Sequence, residues 1–274
     1  MVAFALFKFW PMARGVWMSL FRVRPYLGDQ WVGFQNYHDA FLDHGLRAAV
    51  QHGVLDAVVT VVGSAIVGFC LALLLEGQAV HLRIFRTAAF LPVVTAMVVV
   101  AEVWGVLLYP GKNGPVNGFI GHAGLGPSPF LSGVHTSLPS MMFIQIWKSA
   151  PYDMLIFLAG LAGIDRQLYE AAAIDGASRW QRLRWVTIPG LRYVTTIVIT
   201  LGIIRGLRVF TEIWVTTGGG PAGSTDVIVT YIYRTGITTP GQIGYAAAVS
   251  TMLLIVTVIL TCLFLWWRQR RALR

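Results

Sequence analysis

Six stretches of this chain, about 2–21, 50–75, 85–109, 137–164, 191–216 and 244–267, are apolar enough to read as membrane crossings. A helix needs about 20 such residues to span the hydrocarbon core of a bilayer. Of the 274 residues, 56 % are hydrophobic and only 12 % are charged. A soluble domain carries roughly a quarter charged residues to cover its core. The expected fold is therefore all-α: a polytopic membrane protein with six transmembrane helices, forming a single domain over 1–274. The first stretch is the least regular, because it carries Lys8, Pro11 and Arg14. It lacks the small-residue cleavage site of a signal peptide and is kept as a span, with a start upstream of residue 1 left open.

The net charge of +9 does not point to nucleic acid. The basic residues sit in short clusters between apolar runs, where they orient spans, rather than on one polar element. With the N-terminus inside, the inner connections and termini hold Lys8, Arg14, Arg83, Arg86, Arg166, Arg179, Arg182, Arg184, Arg192, Arg268, Arg270, Arg271 and Arg274. The outer ones hold only Arg22, Arg24, Arg47, Lys112 and Arg234. That excess places both termini in the cytoplasm. Cys70 and Cys262 lie inside apolar runs and are expected to be free thiols packed as small apolar groups.

Among the connections, 22–49 contains a short amphipathic stretch from Trp31 to Phe41, and 110–136 reads as an irregular loop rich in Gly and Pro. The inner connection 165–190 mixes acids with bases and is compatible with helix. Its Tyr169–Ile174 segment forms a short helix with a bare alanine flank that lets another backbone approach. Asp175-Gly176 breaks that helix, and a second amphipathic helix runs from about Ser178 to Val186. Such a helix–turn–helix offers a docking surface. The alternative is a helix that merely lies at the membrane interface.

Ionisable groups inside the spans are the other informative feature, since a charge at membrane depth costs about 2.5–3.5 kcal/mol or more. In the fifth span, Arg205, Arg208 and Glu212 fall on one helical face, bordered by Gly202 and Val209 and thinned by Gly206. In the fourth span, Gln145, Lys148 and Tyr152 share a face with Ser149 between them, while Asp153 points elsewhere. These two faces read as the lining of a polar pathway. The alternative is structural: an Arg208–Glu212 ion pair and a Lys148 paired with a neighbouring carboxylate. Asp56 and Glu102 are expected to pair between helices. Gly218-Gly-Gly-Pro-Ala-Gly-Ser-Thr225 lacks the Gly-Lys-Ser/Thr ending of a phosphate loop, and no histidine cluster has metal-ligand spacing.

Glu170-Ala-Ala, Gly176 and Ile188-Pro189 together resemble the cytoplasmic loop signature of permease subunits of binding-protein-dependent ABC importers. The most similar subset is the carbohydrate permeases of the maltose and glycerol-3-phosphate type. Val32-Gly-Phe-Gln-Asn-Tyr37, Phe85-Arg-Thr-Ala-Ala-Phe-Leu-Pro92 and Gly218-Gly-Gly-Pro221 with Ser224-Thr225 resemble further family segments in the right order, from about Pro11 to Trp267. Ile188 stands where Leu is usual before the proline. The resemblance implies a type I ABC importer permease in the cytoplasmic membrane of a prokaryote. Tyr169, Glu170, Ala171, Ala172, Asp175 and Gly176 would then form the coupling element that docks into an ATPase. The implied partners are a second homologous permease, two ABC ATPase subunits and an extracytoplasmic solute-binding protein. The implied cargo is a sugar-like molecule, with neutral sugar, amino sugar and phosphorylated polyol all open. ATP and Mg would be held by the ATPases, with no cofactor, metal or catalysis in this chain. An ion-gradient-driven transporter or channel is the competing reading, and it leaves the 165–190 connection unexplained.

Overall fold

The structure is a computed structural model that describes residues 5–24, 28–124 and 126–272. A π-helical turn, Ala5–Phe9, leads into α1 (Trp10–Met18), and a two-residue hairpin follows, β1 (Phe21–Arg22) against β2 (Gln30–Trp31). Helices α2 (Gln35–Leu42) and α3 (His44–Leu74) meet at Asp43. Next come α4 (Val80–Val94), α5 (Met97–Leu107), α6 (Pro115–His122) and α7 (Ser137–Ala162). The 165–190 connection forms α8 (Arg166–Ile174) and α9 (Arg179–Gly190). The chain ends with α10 (Arg192–Leu207), α11 (Thr211–Thr216), α12 (Ile228–Tyr233) and α13 (Ile243–Ala272).

Every apolar stretch is largely helical, but three differ from a straight span. The third is a pair, α4 and α5, bent by 98°. Thr95 and Ala96 adopt extended backbone, so the helix cannot continue through them, and Pro92, inside α4, leaves the preceding turn one amide short. The fifth stops at Leu207 and restarts at Thr211. The first is short, with residues 2–4 outside the described residues. The second starts earlier than expected, at His44, because the Asp43 carboxylate accepts from Gly45 N (2.8 Å) and Leu46 N (3.2 Å) and caps it.

Among the described residues, α3 and the Ile243–Trp266 part of α13 are long and apolar enough to cross a membrane by themselves. Counting the bent pairs α4–α5 and α9–α10 as one crossing each brings the number to four. The outer faces agree with an apolar solvent: Val54, Leu55, Val58, Val62 and Ile66 of α3, and Ile255, Val258, Ile259 and Leu263 of α13, are exposed. Cys70 and Cys262 are free thiols, as expected, and lie on exposed faces rather than packed inside the bundle.

Helices α3 and α7 form the centre of the bundle, with α10 laid against α3. Small residues permit this approach. At Gly68 an added Cβ would stand 2.8 Å from the Ala150 carbonyl and 2.9 Å from Met154 N. Ala65, Ala72, Met154, Phe157, Leu161, Leu191 and Val198 fill the core between the three helices. The 110–136 connection is more ordered than expected. It contains α6, and the Asn117 side chain bridges Tyr109 O and both backbone groups of Ser128.

Candidate functional site

Helices α3, α7 and α10, with α11 and the end of α4, line an open cavity of about 560 Å³. All nine residues read from the sequence as a pathway line it: Gln145, Lys148, Ser149, Tyr152, Arg205, Gly206, Arg208, Val209 and Glu212. Thr60 and Ser64 join them from α3. The sequence reading passed over these two, although Asp56, Thr60 and Ser64 recur at i, i+4 and i+8, which brings them to one side of a helix.

The charges are arranged differently from the sequence expectation. Arg205 donates to Asp153 at 2.6 Å, and Ser64 donates to the other carboxylate oxygen at 2.8 Å. Asp153 therefore does not point away; it is the buried anchor of the cavity's guanidinium. Arg205 also covers the Tyr152 ring, 5.2 Å from its centroid. Gln145 donates to buried Asp56 at 2.9 Å, so Asp56 pairs between α3 and α7 as expected. Glu102, expected to pair in the same way, is exposed on α5 and makes no ion pair among the described residues.

Lys148 pairs with no carboxylate among the described residues. It donates to two carbonyls, Pro92 O at 3.0 Å and Thr95 O at 2.9 Å. Arg208 and Glu212 form no ion pair with each other either. The i, i+4 geometry they would need is lost where α10 ends at Leu207. Gly206 is buried because α3 is close behind it: a Cβ there would lie 2.9 Å from the Ala57 Cβ. Valine at 209 is likewise buried.

The second candidate site is the 165–190 connection. Asp165 caps α8 by accepting from Gln167 N at 2.9 Å. The helix ends in a Schellman turn: Gly176 N donates to Ala173 O, Ala177 N donates to Ala172 O, and Gly176 takes φ +76°. Ser178 and Gln181 then cap α9 reciprocally. Tyr169 and Thr187 hydroxyls, 3.0 Å apart, tie α8 to α9. Glu170, Ala171, Asp175 and Gly176 are exposed, and Ala172 is half-buried. Ile174 is 87 % exposed, and Trp180 and Trp185 are exposed as well. Exposed apolar side chains thus flank a turn that is fixed by caps on both sides.

At the other end, buried Asp226 accepts from Thr230 at 2.9 Å and pairs with Arg234. Burial pushes its carboxyl above the ordinary range, against the opposing effects of Thr230 and Arg234. Gly218, Gly219 and Gly220 all take positive φ in the preceding loop, and a Cβ at Gly219 would stand 2.8 Å from the Asp226 carboxylate.

Comparison with known proteins agrees with this architecture. The chain is 31 % identical to the probable ABC transporter permease protein YurN of Bacillus subtilis, over 95 % of this chain and 90 % of that one. It is 30 % identical to the arabinooligosaccharides transport system permease protein AraP of Halalkalibacterium halodurans, over 95 % and 82 %. Its fold superimposes, with a TM-score of 0.85 and 25 % identity, on a chain of a bacterial ABC transporter involved in the import of the acidic polysaccharide alginate, covering 98 % and 92 % of the two chains. Residues 45–272 match the profile of the binding-protein-dependent transport system inner membrane components, and the chain belongs to that family.

Proposed function

We propose that this chain is one of two homologous permease subunits of an ATP-driven importer that carries a sugar or a related polyol derivative across the cytoplasmic membrane of a prokaryote. The observation that carries the reading is a cavity with polar and charged groups set between otherwise apolar helices. Two arginines, a glutamate, an amide and hydroxyls line it beside Lys148, and arginine, carboxylate, amide and hydroxyl groups match the hydroxyl-rich surface of a carbohydrate. The arabinooligosaccharide permease among its relatives supports the same cargo class.

In this reading the chain crosses the membrane six times with both termini inside. Two ABC ATPases sit under the 165–190 connections of the two permeases, and an extracytoplasmic binding protein delivers cargo. Closure of the ATPases pushes α8 at Glu170–Gly176. The Tyr169–Thr187 contact passes the displacement to α9, and α9 leads directly into α10, whose Arg205 and Gly206 line the cavity. Cargo moves because its affinity differs between the inward-open and outward-open states. No bond of the cargo is made or broken here. ATP and Mg belong to the ATPase subunits.

Purification of the tagged chain from its native membrane in mild detergent, with mass spectrometry of what accompanies it, tests the reading. A second permease and an ABC ATPase are expected. A chain that emerges alone after crosslinking overturns it and favours a gradient-driven transporter.

A further inference from the structure

We propose that Lys148 is a positioning residue that holds the α4–α5 bend, and through it the wall of the cavity, rather than a ligand of the cargo. Three observations on different elements converge. The first is the break itself. Thr95 and Ala96 are extended, so the amides that would serve Pro92 O and Thr95 O in a continuous helix are turned away and these two carbonyls receive no helical amide. A carbonyl left unmet away from water costs several kcal/mol, so a donor from a neighbouring helix stabilises the bend.

The second is the donor. Lys148 rises from α7, packed against α4, and its ammonium meets both oxygens, at 3.0 and 2.9 Å. No carboxylate forms an ion pair with it among the described residues. Its charge is balanced by the carbonyl dipoles at the C-terminal end of α4, where a cation is favoured. One side chain thus answers two costs: a cation at membrane depth and two stranded carbonyls.

The third is location. Val93 lies between the two clamped carbonyls in sequence and lines the cavity together with Lys148. Releasing the clamp frees the bend and moves that wall. A lysine whose donors are committed to backbone is poorly placed to read cargo hydroxyls, which leaves Arg208 and Glu212 as the charges of the lining that form no ion pair among the described residues. Only the consequence for transport depends on the cavity being the cargo's path; the bend does not.

The test is a distance across the bend, measured in the purified complex in nanodiscs. Spin labels go on Ile84→Cys in α4 and Val106→Cys in α5, both exposed, with Cys70 and Cys262 replaced by Ala. With Lys148 in place the separation is expected to be short and narrowly distributed. Lys148→Met should lengthen and broaden it, and Lys148→Arg, which still brings a cation and several donors, should restore it. If Lys148→Met does not accumulate in the membrane, Lys148→Gln is read in the same way, its shorter uncharged amide failing to span both oxygens. A Met or Gln variant with the unaltered distribution overturns the inference, as does an Arg variant indistinguishable from Met.

Discussion

The Arg205 guanidinium lies 2.6 Å from the Asp153 carboxylate on the facing helix, and the two ends of this pair are unequally buried. Asp153 is 1 % exposed and Arg205 37 %. Removing the arginine strands a carboxylate that keeps only Ser64. Removing the aspartate leaves a guanidinium that can still reach the cavity. Breaking a fully buried pair costs about 3–5 kcal/mol, and partial exposure lowers that toward about 1–3 kcal/mol. Arg205→Ala should therefore destabilise more than Asp153→Ala, and the double variant less than the sum of the two. Thermal unfolding in detergent of the four proteins measures the coupling, and strict additivity would sink it.

The contact of α3 with α7 at Gly68 gives a second prediction. A Cβ there meets backbone, which cannot rotate away, so Gly68→Ala should cost about 1–3 kcal/mol by overpacking. Gly105→Ala on the exposed side of α5 is the control, since nothing lies within 4 Å of its Cβ position. Equal amounts of folded protein by fluorescence-detected gel filtration would contradict the close approach.

Helical periodicity was enough to bring Gln145, Lys148, Ser149 and Tyr152 to one face and to direct that face at Arg205. It could not reveal what those groups bond, because their partners lie on helices far away in sequence: Asp153 for Arg205, Asp56 for Gln145, two backbone carbonyls for Lys148. Hydropathy located α4–α5 and α10–α11 but treated each as straight, because backbone breaks leave the apolar average unchanged. Pro92 was a visible signal for the first break. Nothing comparable marks Arg208–Phe210, so Arg208 and Glu212 were projected onto one continuous helix. The turn at Asp175-Gly176 was readable because its residue types have few other uses.

Asp43 makes stability depend on pH at both extremes. It is half-buried and accepts from Tyr231, Tyr245, Gly45 and Leu46. Burial pushes its carboxyl up, but these hydrogen bonds outweigh burial and hold it below the ordinary 3.8. Its contribution is thus present above 3.8 and lost as pH falls through the depressed value. Burial and the Asp43 carboxylate push the Tyr231 phenol up from 10.0 to about 12, so its contribution is complete below 10 and lost as pH rises toward 12. Unfolding temperature against pH should fall at both ends. Asp43→Asn should remove most of the acid limb, and an unchanged acid limb refutes the assignment.

Gly176 separates conformational strain from steric exclusion at the turn between α8 and α9. Its φ of +76° favours glycine, yet nothing lies within 4 Å of where a Cβ would stand. Any substitution therefore acts through backbone strain in this chain and through the space left for a docked partner. Asn tolerates the left-handed region far better than a β-branched residue, for which it costs about 1–2 kcal/mol or more. Gly176→Val should insert normally but lose uptake and retain less ATPase on purification, while Gly176→Asn keeps a large part of both. If Asn and Val fail equally, the partner's need for space, rather than the left-handed turn, governs docking. If neither fails, α8 is a surface helix and not the coupling element.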